Sequence, residues 1–329
     1  MNVFILTEGG VDTGMGHISR CLSLYEAFQE INIIPNLYIK GDPSIDCLLD
    51  EYDYINADWI KINLKTIQYN DLVIIDSYNV PKRVYKSYSL TTTNVVYLDD
   101  NSRIEYPQGI LLSPTNFSHL LNFQNNYFHS IIGIKYILLR KPFWDVPKYI
   151  VKKKVSRVLV SMGGADIMNI TPTVCKLLNE IYFEAQVQVA CNNNQGLVNV
   201  LQEFEYNNLD LNVHCSADEM KEKMFNSDLV ITTGGQTLYE SIRIGVPSIG
   251  ISVADNQTKA LQAFNESGYL AQILDVTDIS IWKKFKSELI RLQIFETRKK
   301  NSKLGFSLID GQGARRVAKN LQKLISNEK

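Results

Sequence analysis

The sequence predicts an α/β chain built from two parallel, helix-covered sheets. Three observations carry that prediction. Short apolar runs alternate with amphipathic segments, the alternation comes in two separate series, and several runs end in a glycine pair that leads straight into a helical pattern.

The first series is "VFILT" (3–7), "NIIPNLYI" (32–39), "DLVIID" (71–76), "NVVYLDD" (94–100) and "GILLS" (109–113). Runs this continuously apolar suit strands covered on both faces, which is the situation in a parallel sheet. A second series follows Pro142 and Pro147: "SRVLVSMGG" (156–164), "AQVQVAC" (185–191), "LDLNVHC" (209–215), "DLVITTGG" (228–235) and "PSIGISV" (247–253). The prolines separate two units of similar style, so domains are expected at 1–147 and 148–329. From Gly311 to Ile325, the residues Ala314, Val317, Ala318, Leu321 and Leu324 recur at helical spacing and predict a terminal helix.

Bulk composition narrows the function classes. A chain of 329 residues has room for two ordinary cores, and 45% hydrophobic with 21% charged residues is the balance of a soluble globular protein. No run reaches the roughly 18 apolar residues of a membrane span. Met1 to Leu6 enters the first strand without a charged segment or cleavage pattern, so a cytoplasmic protein is expected. The five cysteines, Cys21, Cys47, Cys175, Cys191 and Cys215, are odd in number, widely spaced and without a C-x-x-C pair, which points to reduced core thiols. A net charge of −1 offers no general attraction to nucleic acid, and the short basic run Lys152–Lys154 with Arg157 reads as a solvated face.

Ligands of open α/β sheets bind beyond the carboxyl ends of strands, so the residues that follow each run are the candidates. After the first strand, Gly9, Gly10, Gly14 and Gly16 form a permissive loop, and Ile18, Cys21, Leu22, Tyr25 and Phe28 mark the buried stripe of a helix. His17 stands where that helix begins. The unpaired N–H groups there can hold an anion and favour the neutral imidazole, the form able to accept a proton. A histidine closing a tight turn is an equally good reading of His17 alone. The spacing is not G-x-G-x-x-G and no acid ends "NLYIK", which disfavours a dinucleotide cofactor.

In the second half, Thr232-Thr233-Gly234-Gly235 ends a buried strand and a helix opens near Gln236, so backbone amides could cradle a diphosphate. Glu240, one turn on, could accept from a ribose diol or could be an exposed acid favoured by the helix dipole. Asn256, in "ADNQ", reads as an N-cap or a ligand contact. Gly163-Gly164 repeats the strand, glycine pair, helix junction. Asp76, Asp99 and Asp100 end strands as well, but no spacing joins them to histidines in a metal pattern, and no metal or cofactor is expected. His119, His129 and His214 have no motif around them and are left without roles.

Taken in order, "GMGHISRCL" (14–22), "IIDSY" (74–78), "YLDDN" (97–101), "GIKYILLRKPF" (133–143), "SMGGAD" (161–166), "GGQTLYESIRIGVPSI" (234–249), "ADNQ" (254–257) and "GQGARRV" (311–317) resemble the UDP-sugar hydrolase family of the pseudaminic acid pathway over nearly the whole chain. That family is similar to the peptidoglycan N-acetylglucosaminyltransferase. The resemblance implies a GT-B fold, two Rossmann-like domains facing a cleft, with the last helix crossing back to the first domain. It implies release of 2,4-diacetamido-2,4,6-trideoxy-L-altrose from its UDP-linked form by water, without a cofactor. It also implies His17 as the catalytic base, Tyr78 beside the sugar, Glu240 on the ribose, and Asn256 and Gln257 on the nucleotide sugar. Gly14, Gly16, Arg20, Gly163, Gly164, Gly234, Gly235, Gln236 and Thr237 complete the substrate-binding set. The chain departs from the family pattern at Ser77, where a histidine is common, and in extra length around 40–70 and 115–130. Those departures fall on the sugar side, so recognition of UDP is the firmer implication.

Overall fold

The computed structural model describes residues 2–11, 13–61, 66–123, 127–163, 166, 168–182, 184–191, 199, 209–213 and 216–327. Among them no helix is long and apolar enough to cross a membrane. The chain divides into two compact units, one formed by Met1–Lys141 with Gly311–Lys329 and the other by Pro142–Asp310. The expected boundary at 147 lies a short way inside the second unit. Arg243 of that unit donates to the carbonyls of Phe143 and Trp144 at 3.2 and 2.8 Å, tying the segment after Lys141 to it.

In the first unit, seven parallel strands run in the order β3-β2-β1-β4-β5-β6-β7: β1 (Val3–Gly9), β2 (Asn36–Gly41), β3 (Tyr54–Asn56), β4 (Leu72–Asp76), β5 (Val95–Leu98), β6 (Ile110–Ser113) and β7 (His129–Ile132). The central strands β1, β4, β5 and β6 are buried along their whole length, as their continuous Val, Ile and Leu content requires. Helix α1 (Gly16–Gln29) follows β1, and α2 (Lys82–Thr91) follows β4.

Order along the sheet locates the functional end. The chain leaves β1 toward β2 and β3, then returns to place β4 on the other side of β1. Their carboxyl ends therefore form a topological switch point, where the following loops part and leave room for a ligand. Register sets Thr7 opposite Asp76, so Glu8 and Ser77 emerge together.

The second unit repeats the plan in a six-stranded parallel sheet of order β10-β9-β8-β11-β12-β13. Its strands are β8 (Arg157–Ser161), β9 (Gln186–Cys191), β10 (Leu209–Val213), β11 (Leu229–Thr233), β12 (Ser248–Ser252) and β13 (Leu274–Asp275). Its switch point lies between β8 and β11. Six helices belong to this unit among the described residues with assigned bounds: α3 (Thr171–Ile181), α4 (Ala217–Asn226), α5 (Gln236–Ile244), α6 (Asp255–Glu266), α7 (Ile281–Arg291) and α8 (Phe295–Leu308). Its core joins Val158, Val160, Val174, Leu178, Ile231, Ile249, Phe285 and Leu289.

The last helix, α9 (Gly313–Asn327), belongs to the first unit and packs on α1. Ala314, Val317, Ala318, Leu321 and Ile325 form its buried face, whereas Leu324 is partly exposed. Arg315 closes its start onto Glu30 with contacts of 2.6 and 2.8 Å. Cys21, Cys175 and Cys191 are buried, as core thiols would be, and burial pushes the Cys175 thiol up to about 12. The Cys47 side chain and Cys215 lie outside the described residues.

Candidate active site

At the first switch point, Gly10 and Gly14 pair in a short antiparallel bridge, exchanging both backbone hydrogen bonds at 3.2 and 2.8 Å. Gly14 closes it in the left-handed region (φ 77°), a conformation that a residue with a side chain adopts only at a cost. The turn delivers the chain to α1, whose N-cap, Met15, makes no side-chain capping bond. Gly16 and His17 are thus the first two helical residues, ahead of the first intrahelical bond, Ser19 N–H to the Met15 carbonyl at 2.9 Å.

His17 is buried and its ring is held from two sides. Its Nδ1 lies 2.6 Å from Oδ1 of Asp76, the residue that ends β4. The ring of Tyr78 meets it edge to face, with centroids 4.5 Å apart. One turn along α1, Arg20 donates Nε to Asp76 Oδ2 and Nη2 to Asp76 Oδ1, each at 2.6 Å, and Nη1 to Asp100 Oδ2 at 2.6 Å. The Tyr78 hydroxyl in turn donates to Asp100. Four side chains from three segments, α1, the end of β4 with its following loop, and the loop after β5, therefore hold the histidine's neighbourhood in one network.

Electrostatics follows from that packing. Burial by itself would raise the Asp76 carboxyl, but the Arg20 guanidinium and then His17 outweigh it and hold Asp76 well below the usual carboxylate range. Asp100 is lowered in the same way: burial opposes, while Arg20 and the Tyr78 hydroxyl prevail. Burial raises the Tyr78 phenol, and the adjacent Asp100 raises it further, so it stays protonated and can donate. Cys21, 3.6 Å from Asp76, is raised by burial and then by the Asp76 charge, and stays a thiol.

Behind the network, Glu8 at the end of β1 shapes the loop after β4. Its Oε1 accepts from the backbone N–H groups of Tyr78 (2.9 Å) and Asn79 (3.2 Å) and from the Asn79 side chain (3.1 Å). Ser77 is buried, and its Oγ accepts from Asn79 N at 3.0 Å, so it belongs to that turn.

The second switch point gathers other residues. β11 runs into Gly234 and Gly235, and α5 begins at Gln236 with Gly235 as an N-cap that offers no side chain. α6 likewise starts after Ala254 without a side-chain cap. Asn256 is the second residue of that helix, so it is not the N-cap. Gln257 turns back on its own loop, accepting from Val253 N at 3.1 Å, and packs against Gly234. A Cβ on Gly234 would lie 3.0 Å from Gln257 Cβ and 3.1 Å from its carbonyl oxygen, so a side chain there would have to push α6 back by a few tenths of an ångström. Gln236 and Thr237 are partly exposed in the first turn of α5, while Glu240 is fully buried. The exposed, dipole-favoured acid is therefore excluded as the reading of Glu240.

Not every glycine junction is alike. Gly163 has φ 79°, but the following Asp166 accepts from the N–H groups of Ile170 (3.1 Å) and Thr171 (3.0 Å) at the start of α3. That helix entrance is filled by the protein's own carboxylate, whereas the N-cap residues of α5 and α6 supply no side-chain bond. Gly164 lies outside the described residues, as does His214. No group of three or more His, Cys, Asp or Glu among the described residues is arranged to hold a metal ion.

Sequence reasoning missed Asp76 as the partner of His17 and Asp100 as the partner of Tyr78. The available signal was the placement of acids, Asp76 alone and Asp99-Asp100 as a pair, at the ends of otherwise apolar runs, "LVIID" and "VVYLDD". A charge in that position is costly unless something pairs it.

Comparison with known proteins follows the same lines. No protein-family model matches the chain. It is 27% identical over 274 residues to an uncharacterized protein of Methanocaldococcus jannaschii, across 76% of this chain and 55% of that one. It is 23% identical to the spore coat polysaccharide biosynthesis protein SpsG of Bacillus subtilis, across the full length of both. With the Helicobacter pylori pseudaminic acid cytidylyltransferase and UDP-2,4-diacetamido-2,4,6-trideoxy-beta-L-altropyranose hydrolase it shares 23% identity over 283 residues, 83% of this chain and 48% of that protein. The chain thus spans about half the length of two of these relatives. Among solved structures, Acinetobacter baumannii MurG superposes with a TM-score of 0.65 at 14% identity, over 98% of this chain and all of that one. The UDP-GlcNAc 2-epimerase of Neisseria meningitidis, bound to UDP-GlcNAc, superposes with a TM-score of 0.61 at 12% identity, over 98% and 100% of the two chains. The chain has a GT-B fold, with two parallel sheets.

Proposed function

We propose that this chain hydrolyses a UDP-linked 2,4-diacetamido-2,4,6-trideoxyhexose, most simply the L-altrose epimer named for its Helicobacter pylori relative. The carrying observation is His17: it stands at the start of α1 with Nδ1 taken up by Asp76, which leaves Nε2 as the ring nitrogen available to a reactant.

In the proposed reaction Nε2 takes a proton from water as the water oxygen bonds to the anomeric carbon. The bond from that carbon to the β-phosphate oxygen breaks on the opposite face, its electron pair leaving with UDP, and the configuration inverts. Positioned general bases of this kind contribute roughly 10² to 10⁴-fold. The helix starts of α5 and α6, whose N-cap residues supply no side-chain bond, suit the UDP end, where the diphosphate gains negative charge as it departs. Glu240 serves the ribose in this reading, and Gln236, Thr237, Asn256 and Gln257 the rest of the nucleotide sugar.

His17→Ala separates this reading from its rivals. Turnover is expected to fall by about 10² to 10⁴-fold while UDP affinity, measured by calorimetry, is unchanged. Unchanged turnover would remove His17 from the chemistry. A transferase, the reading favoured by the MurG-like fold, would release sugar only when an acceptor hydroxyl is supplied.

A further inference from the structure

Arg20 looks at first like a cation for an anionic ligand, because it stands beside His17 at the sheet's switch point. Its contacts argue otherwise. Nε and Nη2 go to the two oxygens of Asp76 and Nη1 to Asp100, each at 2.6 Å, so every nitrogen of the guanidinium faces a carboxylate. Both acids are held ionised by those contacts, and two carboxylates share one guanidinium. With a neutral imidazole the cluster carries an excess negative charge. A diphosphate would be repelled from it, whereas positive charge developing on a sugar or on the imidazole would be favoured.

The same contacts fix where the histidine proton sits. Asp76 Oδ1 is shared by Arg20 Nη2 and His17 Nδ1, both at 2.6 Å. An ionised carboxylate only accepts, so Nδ1 carries the hydrogen and donates it. The 2.9 Å approach of Arg20 Nη2 to Nδ1 is then two donors converging on one oxygen, not a bond between them. Nε2 is left bare.

We propose that Arg20 is a positioning residue and not a ligand-binding cation: with Asp76 and Asp100 it forms a clamp that holds His17 in the Nδ1-protonated tautomer and Tyr78 against its ring. Asp76 sets the tautomer, Arg20 fixes the Asp76 carboxylate in plane through a two-pronged contact, and Asp100 ties Arg20 to the Tyr78 hydroxyl. This assignment rests on reading His17 as the base, but its geometry can be tested without turnover.

The test uses the full chain labelled with ¹⁵N-histidine. Two-bond proton–nitrogen spectra at a pH where the ring is neutral report which nitrogen bears the hydrogen, and the His17 signals are the ones missing from His17→Gln. In the wild type a protonated Nδ1 and an unprotonated Nε2 are expected. Asp76→Asn has one accepting oxygen where the carboxylate has two; with that oxygen turned to Arg20 Nε, its amide NH2 meets His17 Nδ1 as a donor and is expected to shift the population toward the other tautomer. A protonated Nε2 in the wild type, or an unchanged tautomer in Asp76→Asn, would overturn the proposal. Arg20→Lys is expected to lower turnover while leaving UDP affinity as it was; a tenfold or larger loss of UDP binding would make Arg20 a ligand cation after all. If the tautomer is as expected and His17→Ala still turns over normally, the clamp stands and the reading of His17 as the base falls.

Discussion

Replacing Asp76 by Asn probes the network where its energy is concentrated. The carboxylate is fully buried and accepts from His17 and twice from Arg20 at 2.6 Å. Removing one partner of a buried ion pair costs about 3–5 kcal/mol, because the remaining charge is left uncompensated. Asn keeps one accepting oxygen, and Arg20 keeps Asp100, so the lower end, about 3 kcal/mol, is expected. For a unit of this size each kcal/mol moves the melting point by about 2–4 °C, which gives a drop of about 6–12 °C. Fluorescence of Trp59, buried in the first unit with Nε1 donating to the Thr7 carbonyl at 2.7 Å, reports that unfolding once Trp144 and Trp282 are replaced by Phe. Arg20→Leu and the double variant complete the cycle, and residues in one such network couple by about 0.5–3 kcal/mol. A loss within about 0.5 kcal/mol of zero, the size of an ordinary surface substitution, or a cycle with no coupling, would refute the energetic reasoning.

Acidification gives a related result. Asp76 and Asp100 have folded values below their unfolded ones, so their contribution is complete above about pH 4 and is lost as pH falls through the folded values. Urea midpoints taken across that range should fall more steeply for the wild type than for Asp76→Asn, and parallel curves would contradict the assignment. At the second switch point, Gly234→Ala forces its new methyl against Gln257 and should cost about 1–3 kcal/mol as α6 is displaced. UDP titration calorimetry should show weakened binding, with Gly235→Ala, whose nearest neighbour would be 3.8 Å away, as the tolerated control. Glu240→Gln should weaken UDP by about 10 to 100-fold, the equivalent of a charge-assisted hydrogen bond, and leave an analogue lacking the ribose hydroxyls unaffected. Equal losses for both ligands would take Glu240 off the ribose.

Much of the fold is legible in the sequence because the strands that build the two cores are continuous apolar runs. β4, β5, β6, β8, β9, β10, β11 and β12 all fall inside the segments that composition marks out, and β1 and β2 overlap theirs, each ending two residues beyond. The strands without such a run are β3, β7 and β13, and all three lie at a sheet edge. Ile55 of β3 and His129 and Ser130 of β7 are exposed, so burial places no demand on their sequence and leaves no apolar signature. Site residues divide in the same way. His17 and the Gly234-Gly235 junction are visible because a loop before a helix limits which residues fit. Asp76 and Asp100 are not, since their meaning depends on which strand ends the sheet order brings beside α1. Glu240 shows the limit of local reading: its position on α5 is evident, but its complete burial comes from packing around the helix.

Hydrolysis by water at the anomeric carbon is the central claim, and isotope placement tests it most directly. The full chain, incubated with UDP-2,4-diacetamido-2,4,6-trideoxy-β-L-altropyranose in ¹⁸O-water with neither acceptor nor added metal, should release UDP without label and free sugar with ¹⁸O at the anomeric oxygen. Label on the phosphate, or no turnover until an acceptor hydroxyl is supplied, would contradict it.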